Sequence, residues 1–461
     1  MPLRAEGEHP LRGSPTILIA TAVLLVVALA ALLGRIGADS QWLAALGHAI
    51  ATHHAIPPGV PFAAAPTSHW PNALVLAELL FNGLERAMGD RGLMLAQLLA
   101  VAGAFAVLAA DARAGGSGPV GTSATLLIAG IGSLPSLAIA RVQLFSVVLF
   151  PVLVALLRAQ SRRPSSRIWL VVPLLALWSN LHAAALLGVL VVWVYLTADF
   201  KRRARWTSLG VGVASLAALC ATPALARTPD YYQGVLTNLA AERGEGMWGP
   251  LSLSVPLDLV LIGAAVLLCV RLRRSRLEPW EWTVAVVLAA LTIKASRDGV
   301  WLLFFLVAPA ARALKPRRTW ERLVPAGVGL SLAAIGLAAA RGPITVGASR
   351  GLVASAVALA HGSPVLAGGA IDEQVALAGG RIWVGDPLDA FPRSDQAAYL
   401  DWLNGDASGR RALTPQVRVV LVARGSASQA LMTRTEGFVE IAADRSATIY
   451  ERQGSPVAGL R

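Results

Sequence analysis

Charge is sparse in this chain. Charged residues make up 15% of its 461 positions, where a soluble domain carries about 25%. Mean hydropathy is +0.60. That deficit excludes an ordinary soluble enzyme for most of the chain. Cysteine is scarcer still: Cys220 and Cys269 are the only two, and both lie in apolar stretches. Neither can staple an extracytoplasmic loop, so both read as packing residues. No Gly-x-Gly-x-x-Gly fingerprint occurs, which argues against a dinucleotide site. The pairs Gly368-Gly369 and Gly379-Gly380 read as turns.

What is present is apolar sequence in blocks. Spans about 20 residues long cross a bilayer as helices, and candidates lie at roughly 17–35, 92–110, 119–140, 143–157, 168–179, 182–199, 207–226, 257–270, 280–295, 299–313 and 323–340. The first, Ile17–Leu33, is longer than a secretory h-region and is followed by many others, so it is expected to be a retained helix. The net charge of +13 raises nucleic acid as a partner, but the position of the basic residues argues against it. They sit between spans: Arg158, Arg162, Arg163 and Arg167; Lys201, Arg202, Arg203 and Arg205; Arg271, Arg273, Arg274 and Arg276; Lys315, Arg317, Arg318 and Arg322. Such clusters mark cytoplasmic loops. Placing all four inside gives a cytoplasmic N-terminus, about eleven crossings and an outer C-terminal region.

The expected architecture is an α-helical polytopic membrane body over residues 1–340, with extracytoplasmic loops at 34–91 and 227–256, followed by a soluble extracytoplasmic α/β domain over 341–461. In the first loop, Asp39–Thr52 and Asn72–Met88 read as helices. In the tail, Val365–Ala367, Arg381–Gly385, Val417–Ala423 and Thr448–Glu451 read as strands, and Asp372–Ala378, Asp395–Asn404 and Ser426–Thr435 as helices. Alternation of that kind predicts a largely parallel sheet.

Polar residues able to do chemistry gather on the outer side. Asp39, just past the first span, is a candidate general base and could ligate a divalent cation carrying a lipid phosphate. It is equally suited to N-cap the helix that follows. Four histidines, His48, His53, His54 and His69, occupy the first loop, but no His-x-x-x-His or Glu-x-x-His spacing occurs there. No metal site is assigned to them, and no cofactor beyond that cation is implied. Trp70 fits an interfacial anchor or a sugar-stacking platform. Arg141 and Gln143, Asn180 and His182, and Arg297 with Asp298 lie at the outer ends of spans. Polar groups there usually face a bundle interior, and an arginine so placed can grip a phosphate or merely snorkel to headgroups. In the second loop Asp230-Tyr231-Tyr232 and Glu245 near Trp248 put carboxylates beside aromatics, as carbohydrate sites do.

Taken in order, these pieces resemble the GT-C class of polytopic membrane glycosyltransferases, in particular bacterial members with a C-terminal extracytoplasmic domain. Asp39-Ser40-Gln41-Trp42 through Gly47 and Ile50 resembles the loop start Asp-x-x-Trp…Gly-x-x-Ile. Arg141-Val142-Gln143-Leu144-Phe145-Ser146 resembles Arg-Pro-Gln-x-x-Ser, and Trp178-Ser179-Asn180-Leu181-His182-Ala183 resembles Trp-x-Asn-Leu-His-Gly. Ala295-Ser296-Arg297 through Pro309 resembles a late Arg-containing span. Val384-Gly385-Asp386-Pro387 and Ile449-Tyr450-Glu451-Arg452 resemble the closing strands. The chain departs from the family pattern at Gly37 and Leu43, where a second loop acid and a histidine would stand, at Val142 and Ala183, at Thr222-Pro223 in place of Asn-Pro, and at Leu388.

The resemblance implies transfer of a sugar from a polyprenyl-phosphate donor to a glycan or other envelope acceptor at the outer face of a bacterial plasma membrane. Asp39 would be the base. Arg141, Gln143, Asn180, His182, Arg297, Trp42, Trp70 and Glu245 would bind substrate. Two alternatives stand beside this: a non-catalytic GT-C-like protein that binds lipid-linked glycan, and a transporter or flippase, which predicts internal repeats that the sequence does not display.

Overall fold

In the computed structural model, residues 15–37, 39–67, 70–198, 205–272, 275, 277–313 and 324–454 are described. His69, Lys201, Arg202, Arg203, Arg273, Arg274, Arg276, Lys315, Arg317, Arg318 and Arg322 lie outside them. The apolar blocks form helices because continuous Ala/Leu/Val sequence satisfies its own backbone hydrogen bonds, the only economical state in a medium without water. The first half of the chain comprises α1 (Pro15–Leu32), β1 (Arg35–Ile36), α2 (Ser40–His53), α3 (Val75–Met88), α4 (Asp90–Ala114), α5 (Pro119–Gly132), α6 (Leu134–Leu137), β2 (Ile139–Ala140), α7 (Gln143–Arg162), α8 (Val171–Ser179), α9 (Ala185–Ala198) and α10 (Arg205–Leu219). The second loop and the later helices follow as α11 (Thr228–Thr237), α12 (Leu239–Arg243), α13 (Pro256–Leu272), α14 (Pro279–Lys294), α15 (Gly299–Arg312) and α16 (Val324–Arg341). The tail comprises β3 (Ile344–Thr345), α17 (Arg350–Ala360), β4 (Val365–Ala367), α18 (Ala370–Leu377), α19 (Arg393–Leu403), β5 (Val419–Ala423), α20 (Ala427–Met432), β6 (Phe438–Ala443) and β7 (Ala447–Arg452).

A helix stands at each expected span. Among the described residues three, α4, α7 and α16, are long and apolar enough to cross a membrane by themselves. The body turns much of its apolar surface outward. Only Ser331 of α16 is buried, and Val213, Leu216, Val266, Leu267, Val286 and Ile293 are exposed. A continuous apolar exterior of this kind is covered by lipid rather than water; the protein is membrane-embedded.

One of the clustered arginines lies inside the bundle. Arg158, read from the sequence as part of a basic cluster between spans, is 4% exposed. It donates from Nη1 to Asp111 at 2.7 Å, from Nε to Glu281 at 2.8 Å, and from Nη2 to the Phe305 carbonyl at 2.8 Å. One guanidinium thereby ties α7 to α4, α14 and α15. Two buried carboxylates satisfy the cation, so it has no need to reach the surface.

The tail is stitched onto the end of the body where the first span leaves it. β1, directly after the first span, pairs in parallel with both β2 and β3. The larger sheet runs in the order β4-β5-β7-β6. It is mixed rather than largely parallel: β4 and β5 are parallel, whereas β7 runs antiparallel to both β5 and β6. The reason is a short connection after β6, which allows a hairpin where the helix–strand alternation predicted a crossover. β6 itself is an exposed edge strand without a buried apolar face, and so lacks the signal that reveals strands in sequence. The expected strand 381–385 contributes single bridges from Ile382 to Ala63 and to Val365. Through them the first loop docks on the tail sheet, with Ala64 N–H on the Ile382 carbonyl at 2.8 Å.

Candidate functional site

The helix ends on the tail's side of the bundle, both long loops and the tail enclose one cavity of about 1000 Å³. Asp39, Trp42, Trp70, Arg141, Gln143, His182, Glu245 and Arg297 all line it. Asn180 does not; its side-chain amide donates to the carbonyls of Ala176 at 2.8 Å and Ala221 at 2.6 Å, bracing the turn that carries His182. His48, His53 and His54 are exposed and away from the cavity.

Asp39 occupies the N-cap position of α2, with φ of 87°, but its side chain makes no capping bond. Aspartate tolerates this left-handed backbone better than most residues. The expected cap is supplied from the tail instead. Glu373, on α18, accepts the backbone N–H of Asp39 on Oε1 at 2.8 Å, and those of Gln41 and Trp42 on Oε2 at 3.2 and 3.4 Å. Burial pushes the Asp39 carboxyl upward in pKa, while Arg141 and Arg297 pull it back. Burial, then the charges of Asp39, Asp386 and Asp372, hold Glu373 well above the usual carboxylate range. Burial and the neighbouring Asp39 and Asp389 raise Asp386 to about 7. Asp39, Glu373 and Asp386 each offer an oxygen, all within 4.8 Å of one another. This all-oxygen set matches the donor chemistry of a hard divalent cation.

Facing these acids is a cationic wall. Arg141 hydrogen-bonds Gln143. The Arg297 guanidinium lies 3.5 Å from the centroid of the Trp248 ring, a stacking that fixes its plane. Trp178 Nε1–H donates to Ser146 Oγ at 2.6 Å, and Ser146 Oγ lies 2.7 Å from His182 Nδ1. With the Ala184 N–H also on Nδ1 at 3.3 Å, that nitrogen is the acceptor, which assigns the ring proton to Nε2.

The third side belongs to the tail. Asp372, Asp386, Asp389 and Tyr399 line the cavity, and sequence reasoning found no chemistry in this domain. The available signals were faint: Asp372-Glu373-Gln374 puts consecutive polar residues where α18 is buried, and Asp386-Pro387-Leu388-Asp389 brings two acids close on a turn. Trp70 Nε1–H donates to Asp389 Oδ2 at 2.9 Å, so the expected platform residue is held by the tail. Burial raises Asp389 to about 6 against that hydrogen bond. Trp42 packs edge-on against Phe62 with centroids 4.5 Å apart. Glu245 sits 3.6 Å from Arg243, which pairs with Asp401 of α19 at 2.8 Å. Away from the charges, the cavity runs between Leu186, Leu190 and Trp193 of α9 and Leu216 of α10. Leu190 and Leu216 are also among the exposed apolar residues of the body.

No family model matches the sequence, and no curated protein does. Solved structures do. The crystal structure of ArnT from Cupriavidus metallidurans bound to undecaprenyl phosphate superposes with a TM-score of 0.51 at 13% identity, covering 98% of this chain and 100% of that one. The apo form of the same protein gives 0.51 at 12% identity, covering 94% and 97%. ArnT is a GT-C glycosyltransferase. This chain has a GT-C-like fold. The likeness takes in the helical body and the tail alike, because the covered share leaves out almost nothing.

Proposed function

We propose that this protein is an integral membrane glycosyltransferase that moves a sugar from a polyprenyl-phosphate donor to an extracytoplasmic acceptor. One observation carries the reading: a single cavity joins an acid and a cationic wall at one end to an apolar arm between α9 and α10, lined by exposed Leu190 and Leu216, at the other. The neighbour of known structure was crystallised with undecaprenyl phosphate, and a carrier of that class suits the arm here. In this reading residues 1–340 form the membrane body with the N-terminus cytoplasmic. Residues 341–461 form the outer domain, in a bacterial plasma membrane.

The chemistry follows from the arrangement. Asp39 takes the proton of an acceptor hydroxyl, whose oxygen attacks the anomeric carbon as the bond to the donor phosphate oxygen breaks. The electron pair leaves with the polyprenyl phosphate. Arg141 and Arg297 stabilise that charge, and His182 Nε2–H donates to it. A second reading, binding of lipid-linked glycan without transfer, draws on the crowding of Asp39 by Glu373 and Asp386, which disfavours the ionised base.

The test is Asp39→Asn in liposome-reconstituted protein supplied with undecaprenyl-phosphate sugars. Transfer is expected to fall by about 10²–10⁴-fold with lipid binding retained. Unchanged transfer removes Asp39 as the base. Lipid binding by a wild type that transfers from no donor offered favours the second reading.

A further inference from the structure

We propose that Glu373 is a positioning residue for Asp39: from the tail domain it caps the helix that Asp39 begins, and so releases the Asp39 carboxylate to the cavity. The proposal rests on the reading of Asp39 as the base. Its structural half can be tested without that reading.

An N-terminal turn has backbone N–H groups that need acceptors. At many helix starts a Ser, Thr, Asp or Asn at the N-cap supplies one from its own side chain. An aspartate that did so here would spend its carboxylate on the helix and could not also receive a proton from substrate. In this chain Asp39 holds the N-cap position while the acceptor comes from a residue 334 positions away. Both Glu373 oxygens are used, on three N–H groups spanning the first turn of α2. The backbone of Asp39 is thus fixed at its own N–H, in a left-handed conformation that needs outside support.

Glu373 is itself held in place. On one side of it Asp372 accepts from the Tyr399 hydroxyl at 2.8 Å. On the other, the Gln374 amide bonds both the N–H and the carbonyl of Ala348, at 2.8 and 3.1 Å. A second link runs in parallel: Gln41 Nε2 donates to Asp90 at 3.2 Å, and Asp90 accepts from Thr345 of β3 at 2.7 Å. The tail therefore does more than cover the site, since its polar residues set the backbone from which the base projects. Reacting groups must be held within a fraction of an ångström, and misplacement by about 1 Å costs on the order of a hundredfold in rate.

The experiment uses the full chain in nanodiscs, as wild type, Glu373→Ala and Glu373→Gln. Hydrogen–deuterium exchange reads the cap directly. The amides of Asp39, Gln41 and Trp42 should exchange about tenfold faster in Glu373→Ala, with those of α3 unchanged. Glu373→Gln keeps shape and one accepting oxygen, so it should fall between, and it serves if the alanine variant does not fold. In transfer assays kcat should drop about 10- to 100-fold while the affinity for undecaprenyl phosphate, which meets the cationic wall, stays at the wild-type value. Unchanged exchange at those amides overturns the cap. Faster exchange with wild-type kcat overturns the positioning role, and so does a parallel loss of lipid binding and kcat. If wild type transfers nothing, the proposed function fails while the exchange result still decides whether Glu373 holds this turn.

Discussion

Gly47 is where α2 crosses α3, and its replacement by alanine separates a local packing effect from a functional one. A Cβ built at Gly47 would lie 2.0 Å from the Glu78 carbonyl oxygen and 2.5 Å from its carbon. Both atoms are backbone, so no rotamer change relieves the contact. Reaching even 3.0 Å requires the two helices to move apart by about 1 Å. Overpacking of this kind costs about 1–3 kcal/mol. Unfolding entropy near 2.1 cal/mol/K per residue makes 1 kcal/mol worth roughly 1 °C in a chain of 461 residues. The expected fall in melting temperature is therefore modest, about 1–3 °C. The effect on transfer should be far larger, on the order of a hundredfold, because α2 carries Asp39 at its start and Trp42 in the cavity wall. Gly83 on α3 provides the control: nothing lies within 4 Å of its would-be Cβ. Gly83→Ala should be neutral or stabilising by up to about 1 kcal/mol. Thermal melting in detergent and transfer in liposomes check both variants. If Gly47→Ala melts and transfers as wild type does, the crossing is loose and the reasoning fails.

Stability and transfer should respond to rising pH in opposite directions. Asp386 is raised to about 7, and burial raises Glu78 to about 7 against its hydrogen bond from Asn72. The unfolded chain releases these protons near pH 4, so the folded state binds more protons between about 4 and 7. The associated stability is present below about pH 4 and is lost as pH rises through 7. Melting temperatures across that interval should decline, and Asp386→Asn should flatten the decline. Transfer by an Asp39 base should rise with pH as that carboxyl, raised by burial, loses its proton, in a rate–pH profile. Within the bundle, Arg158→Ala removes the partner shared by Asp111 and Glu281 and should cost about 3–5 kcal/mol. The melting temperature of the detergent-purified variant reads this, and adding Asp111→Ala and Glu281→Ala should recover part of the loss.

How much was legible depended on how local each determinant is. The apolar blocks announced their helices because composition alone decides backbone bonding in lipid. Asp39 was recognisable as the start of a helix, and Arg141, His182 and Arg297 as outer polar residues that lipid does not tolerate singly. Gly47 appeared only as a motif position; the reason for it is the Glu78 backbone lying against it. Arg158 looked like its basic neighbours, since a count of positive charges does not distinguish a surface arginine from one between two buried acids.

The sequence by itself determined a helix at each apolar block and mixed strands and helices in the tail, because hydropathy and helix periodicity are properties of short windows. Only the tertiary structure decided that the tail helps build the site. Glu373 meets Asp39 across 334 positions, Asp389 holds Trp70 across 319, and β1 joins the end of the first span to the beginning of the tail. No window contains both partners of such a contact. Which acid caps the helix and which stays free is a property of their meeting, not of either segment.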